Sequence, residues 1–348
     1  MNAYIVTQEQ IPLLFAQWQK KFKLFVPQQK DKFYLLEEYV PGAEISLDYD
    51  LIYTPPKKFL FPPYEDLLEF NLNTLESKAI FQAEPQIIFG LHPYDIKAIN
   101  QLDQLMDEPP MDLNYRARRE QTIIMGLTPL RIAPTAFWAF VGADHVDFGF
   151  DLFWTKISAG TFLVEIGSPR GQELLLSQGS ILPATSSEKE MAQKKQAAIV
   201  AEAKKQNPLK LSWQEVAKVM AKSWDSYLWT EKARKCLSCG SCNFICPTCY
   251  CFDIKDQVDD LLKTGKRYRT WDGCMLKGFA QIAGNHNFRE QTFERYRHRY
   301  MRKGKYIYDR LGELGCVGCG RCVQSCPAGI ANPLEVFNTL WEALQYEN

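Results

Sequence analysis

Two cysteine runs in the last third of the chain restrict its fold more than any other feature. The first is Cys236-Leu-Ser-Cys239-Gly-Ser-Cys242-Asn-Phe-Ile-Cys246-Pro247. The second, Cys316-Val-Gly-Cys319-Gly-Arg-Cys322-Val-Gln-Ser-Cys326-Pro327, repeats the spacing C-x2-C-x2-C-x3-C-P without a slip. Three thiolates at two-residue gaps wrap one face of a cube of iron and sulfide. The chain then turns away and the fourth thiolate faces the neighbouring cube. The expected ligand sets are therefore crossed: Cys236, Cys239, Cys242 and Cys326 on one [4Fe–4S] cluster, Cys316, Cys319, Cys322 and Cys246 on the other. Gly240 and Gly320 keep bulk off the clusters, and the prolines turn the chain after the fourth ligand. The competing reading is a pair of zinc sites, but zinc usually takes four ligands as two separated pairs.

All 11 cysteines lie after residue 235, whereas a disulfide-stabilised secreted protein would spread them through the fold. Three are left over: Cys249, Cys251 and Cys274. They could hold a third [4Fe–4S] cluster with a non-cysteine ligand such as Asp253, Asp272 or His286, or be reduced structural thiols, since free cysteine is often buried.

Lys+Arg and Asp+Glu balance at 41 each, without the basic excess of a nucleic-acid-binding protein. The basic and aromatic run over 294–310 fits stabilisation of an anionic cluster or a solvated helix face better than nucleic acid. No stretch approaches the run of about 18 apolar residues that a membrane span needs. The N-terminus lacks the basic start of a secretory signal, so the expected location is the cytoplasm. His92, His145, His286 and His298 are scattered, and no G-x-G-x-x-G or G-x-x-x-x-G-K-[ST] loop occurs. The pattern is that of an electron relay without a substrate pocket of its own. Two other readings are a self-sufficient reductase with substrate on an open iron, and a structural zinc protein.

Residues 1–185 read as a mixed α/β domain, 186–211 as a helical linker and 212–348 as a mostly helical region with the cysteine motifs in its loops, giving an α+β chain. Strands are expected at Gln86–Phe89 (closed by Gly90), Ile123–Met125, Leu152–Trp154 and Thr161–Ile166, and a short helix at Glu65–Phe70. Ile96, Ile99, Leu102 and Leu105 predict a helix over Asp95–Met106. Ser187 with Glu190 and Ser212 with Glu215 form capping-box pairs for helices over 187–206 and from 212 to about Tyr227. Asn332 and Pro333 open a last helix to about Tyr346. Cys246 and Cys316 lie 70 positions apart, further than in a compact dicluster ferredoxin. The spacer must form helices of its own or extend the domain.

The stretches CLSCGSCNFICPTCYCFD, RTWDGC, NFRE with its basic tail, and CVGCGRCVQSCPAGI resemble the iron–sulfur beta subunit of cytosolic sulfhydrogenases and, equally, the iron–sulfur subunit of anaerobic sulfite reductase. FPPYEDLLEF, FGLHPYDIKAINQLD, YRARRE and GFDLFWT-x6-FLVEIGS extend the resemblance into the N-terminal region. Hydrogenase-type subunits tend to carry a cysteine in the segment matching Gly90–Asp95, where this chain has Tyr94 and no cysteine nearby. That departure favours the sulfite reductase subunit. The resemblance then implies a three-part enzyme: a flavin subunit oxidising NADH and docked on the N-terminal domain, this chain as a non-catalytic relay, and a sirohaem subunit reducing sulfite to sulfide. The alternative is the same relay in a nickel–iron sulfhydrogenase.

Overall fold

The computed structural model describes residues 2–177 and 181–346. In chain order the strands are β1 (Ala3–Thr7), β2 (Lys23–Lys30), β3 (Phe33–Glu38), β4 (Tyr64–Asn71), β5 (Ser77–Ala79), β6 (Gln86–Leu91), β7 (Thr122–Leu127), β8 (Leu152–Ser158), β9 (Thr161–Ile166), β10 (Leu182–Pro183), β11 (Phe252–Val258) and β12 (Thr264–Trp271). The larger sheet runs β10-β1-β9-β8-β7-β6-β2-β3. Its centre, β2-β6-β7-β8, is parallel, and its flanks are antiparallel. The apolar runs of β6 and β7 are buried along almost their whole length, as central parallel strands must be. Gly90 has a φ of +87°, and a Cβ there would stand 2.6 Å from Pro27 Cγ; the ladder to β7 shifts at this point.

The helices are α1 (Ile11–Trp18), α2 (Pro93–Asp107), α3 (Leu113–Gln121), α4 (Pro169–Leu176), α5 (Ser186–Ala203), α6 (Trp213–Lys222), α7 (Leu228–Ala233), α8 (Ser241–Phe244), α9 (Thr292–Met301), α10 (Ile307–Leu311), α11 (Arg321–Ser325) and α12 (Pro333–Tyr346). A π turn at Arg302–Tyr306 joins α9 to α10. In α2, Pro93 occupies the first turn, and Ile96, Ile99, Leu102 and Leu105 are buried as their spacing predicts. The expected strands at 86–89, 123–125, 152–154 and 161–166 all form, as does the final helix from Pro333.

Three local expectations are corrected. Residues 65–70 form β4 rather than a helix, because β4 pairs antiparallel with β12, some 200 positions later in the chain. The capping box of α5 is Thr185 with Glu188, not Ser187 with Glu190: Thr185 N–H donates to Glu188 Oε2 at 2.7 Å. The Ser212–Glu215 box does open α6, but that helix stops at Lys222 rather than near Tyr227. Trp229 Nε1 donates to the Ser223 carbonyl at 2.6 Å, and a second helix, α7, starts after the break.

The spacer between the motifs contains both a hairpin and helices. β11 and β12 form the hairpin, and β12 joins β4 and β5 in an antiparallel sheet of order β11-β12-β4-β5. One apolar core lies on the large sheet. A second unites the 133–143 loop with α6, α7, α9, α12 and Cys319 of the second motif. Helix α5 lies against the sheet, its Gln196 Nε2 donating to Thr155 Oγ1 of β8 at 3.0 Å. Among the described residues no helix is long and apolar enough to cross a membrane.

Candidate iron–sulfur centre

Each cysteine run folds the same way. Gly240 (φ 76°, ψ −6°) and Gly320 (φ 81°, ψ −7°) precede one-turn helices α8 and α11, so the repeated spacing gives a repeated backbone. The left-handed φ favours glycine at both positions. Gly320 is also pressed against the N-terminal region: a Cβ there would meet Thr135 Oγ1 at 2.3 Å, and the Phe137 N–H donates to the Gly318 carbonyl at 2.7 Å.

Cys236, Cys239, Cys242 and Cys326 line one cavity, walled by Tyr296, Tyr300 and Met275. Thiols from both runs thus meet at one place. Cys246 lies within electrostatic range of Cys316, Cys319 and Cys322. Burial pushes Cys319 up to about 12 and Cys316 higher still, so as free thiols these groups hold their protons. Binding of a cluster displaces those protons. Cys249, Cys251 and Cys274 share a separate cavity. Among the described residues, no three His, Cys, Asp or Glu side chains converge tightly enough for a single metal ion.

The expected non-cysteine ligands are elsewhere. Asp253 is ion-paired with Lys255 at 3.3 Å, Asp272 accepts from the Gly273 N–H at 2.6 Å, and His286 is exposed with its ring against Phe288.

The basic run at 294–310 is turned inward. Arg295, Arg299 and Lys303 are buried. Arg299 lines both thiol cavities and donates to the Cys242 carbonyl at 3.4 Å, while Lys303 Nζ donates to Thr248 Oγ1 at 2.6 Å. Burial opposes the charge on Lys303, but Cys246 and Cys249 outweigh it and raise the group. These cations have no carboxylate partner among the described ion pairs, so the donor set suits an anionic thiolate cluster.

Two buried side chains beside the cysteine motifs escaped the sequence reading. Lys57, in the N-terminal region, is buried, donates to the Cys249 carbonyl at 2.7 Å and sits 4.2 Å from the Trp271 ring centroid. Burial lowers it to about 8, with Cys249 and Cys246 acting in the opposite direction. Its surroundings in sequence, Pro55-Pro56-Lys57-Lys58, carry no pattern that marks a buried lysine. Arg321, inside the second motif, is fully buried in a bidentate pair with Asp95 at 2.6 and 2.9 Å.

Fold and site together define an iron–sulfur electron-transfer protein, and a family model described as a 4Fe-4S dicluster domain matches residues 235–330. The chain is also 30% identical over 341 residues to sulfhydrogenase 2 subunit beta of Pyrococcus furiosus, with 97% of each chain covered. It belongs to that family of sulfhydrogenase beta subunits. No solved structure matches the chain.

Proposed function

We propose that this chain is the relay subunit of a sulfhydrogenase-like complex, passing electrons between a flavin-bearing, NADH-linked partner and a nickel–iron subunit. The observation that carries the relay is the cavity lined by Cys236, Cys239 and Cys242 of one motif and Cys326 of the other. In this reading that set holds one [4Fe–4S] cluster, and Cys316, Cys319, Cys322 and Cys246 hold the second. When bound, each cluster takes up and releases single electrons. Tyr296, Tyr300 and Met275 keep water from the first cluster, and buried Arg299 offsets its charge. Cys239 is exposed while Cys319 and Cys322 are buried, so the first cluster is the one nearer to a docked partner.

The relation to a sulfhydrogenase beta subunit along nearly the whole chain favours a hydrogenase partner. A second reading, relay to a sirohaem sulfite reductase subunit, keeps one observation in its favour: Tyr94 stands where hydrogenase-type subunits tend to carry cysteine. Tyr94 is buried, donates to the Asp50 carbonyl at 3.1 Å and lies beneath the Arg321 guanidinium.

Both readings are tested by isolating the full chain with its partners under exclusion of oxygen. Stoichiometric nickel is expected; sirohaem without nickel would transfer the relay to sulfite reduction. Cys239→Ser and Cys319→Ser are each expected to lose about four iron atoms per chain and to stop electron flow. Full electron transfer in Cys319→Ser would overturn the relay itself.

A further inference from the structure

Cys249, Cys251 and Cys274 take no part in the two clusters assigned above, yet they line one cavity. The β11–β12 hairpin brings them together by setting Phe252 opposite Trp271, and the Asp272 N–H closes the pair by donating to the Cys251 carbonyl at 3.0 Å. Asn243, 1% exposed, holds the site from the first motif. Its Nδ2 lies 3.4 Å from Cys274 Sγ and 3.8 Å from Cys249 Sγ, and its Oδ1 accepts from the Met275 N–H.

Neutral structural thiols need no counter-charge, but this cavity is surrounded by cations. Arg299, Arg302 and Lys303 line it, and Lys57 reaches the Cys249 carbonyl from the other side. Arg299 is 2% exposed, and its Nε and Nη1 have no hydrogen-bond partner. None of the four has a carboxylate partner among the described ion pairs. An uncompensated buried cation is strongly unfavourable, so buried Lys57, Arg299 and Lys303, with half-buried Arg302 beside them, call for an anion. The two assigned clusters can answer Arg299 and, through Cys246, Lys303; of the cysteines, Arg302 faces only Cys251 and Cys249, and Lys57 faces Cys249 first.

We propose that Cys249, Cys251 and Cys274 ligate a third iron–sulfur cluster, a [4Fe–4S] cube on three protein thiolates whose negative charge partly offsets the cations around it. This rests on the reading of the chain as an iron–sulfur protein. Ligation exchanges three thiol protons for a core of charge 2+, leaving the cube and its thiolates with one negative charge. Among the described residues no further Cys, His, Asp or Glu lines the cavity, so the fourth iron would lack a protein thiolate. Cys246 lies within hydrogen-bonding reach of Cys249, which sets the third cluster against the second.

The test measures iron and acid-labile sulfide in the full chain purified without oxygen, beside Cys274→Ser and Cys251→Ser. A third cluster gives about 12 iron atoms in the natural protein and about 8 in either variant. Cys274 is buried and its variant could misfold; Cys251 is half-buried and provides the second reading. Brief ferricyanide treatment of the natural protein should expel the iron that lacks a protein thiolate. The core then releases Fe2+ and gives one electron to ferricyanide, leaving a [3Fe–4S] core with its near-isotropic EPR signal, absent from both variants. About 8 iron atoms in the natural protein, or unchanged iron in both variants, would overturn the third cluster and leave the two-cluster relay standing. Zinc without sulfide would overturn both.

Discussion

Arg321 and Asp95 are both fully buried and meet in a two-point contact, with Arg321 Nε also donating to the Ile52 carbonyl at 2.7 Å. Removing one member strands the other charge in a site closed to water. Asp95→Ala is therefore expected to destabilise the chain by about 3–5 kcal/mol, read by chemical denaturation. A loss under 1 kcal/mol would mean that water reaches Arg321. His298 gives a pH dependence of the opposite origin. Burial, and then the nearby Arg289 and Arg302, lower it from 6.5 to about 4. It is neutral in the fold, so its contribution is fully present above pH 6.5 and is lost as pH falls from there towards 4. His298→Gln should flatten the fall in stability across that window, and an unchanged pH profile would show that His298 is protonated freely in the folded chain.

At the scale of elements, the glycines ahead of α8 and α11 share a backbone conformation but not an environment. Either alanine variant meets the left-handed penalty of about 1–2 kcal/mol. At Gly240 the added Cβ meets only movable side-chain atoms of Leu276 and Phe244 near 3 Å, whereas at Gly320 it runs into Thr135, including its backbone carbonyl at 2.7 Å. Gly320→Ala should therefore lose more thermal stability and more iron than Gly240→Ala. Equal losses would count against the Thr135 contact. The π turn between α9 and α10 belongs to the same scale: it begins at Arg302, contains Lys303 and comes one turn after Arg299, and all three side chains line the cavity of Cys249, Cys251 and Cys274. Such insertions cluster at functional sites in helices.

Across the whole molecule, the two halves of the sequence are joined by buried charge. Arg269 of β12 pairs with Glu65 of β4 and with Asp112 at the start of α3, and Arg118 of α3 meets Glu65 at 2.6 Å. Glu65 is 1% exposed. Arg269→Ala should open the β4–β12 seam, with a loss of about 3 kcal/mol and new proteolytic cleavage in the hairpin. Protection equal to the natural chain would show that the strand ladder alone holds the seam. The division at 186–211 follows composition, but β4–β12 pairing and the shared second core tie the two sides together. We infer that 212–348 expressed alone does not reach a stable fold.

What the sequence determined was everything set by short-range pattern. The repeated cysteine spacing predicted two matching segments, and both fold alike, though as one-turn helices after left-handed glycines rather than as the loops expected. The apolar runs of β6 and β7, the 3–4 spacing in α2, the Ser212–Glu215 box and the Asn332-Pro333 start were equally legible, since each satisfies its backbone hydrogen bonds or buries its face locally. Tertiary structure decided the rest. Glu65-Asp-Leu-Leu-Glu-Phe70 has a helical pattern, but it becomes a strand because β12 offers it a ladder. Thr185 rather than Ser187 caps α5, although both pairs obey the same local rule, and its neighbour Ala184 is tied to Ala3 by a 2.8 Å backbone bond. Lys57 reaches the cysteine sites from nearly 200 residues away, and the basic run faces inward. No local signal marks a cation for burial; that depends on which anions the folded chain brings beside it.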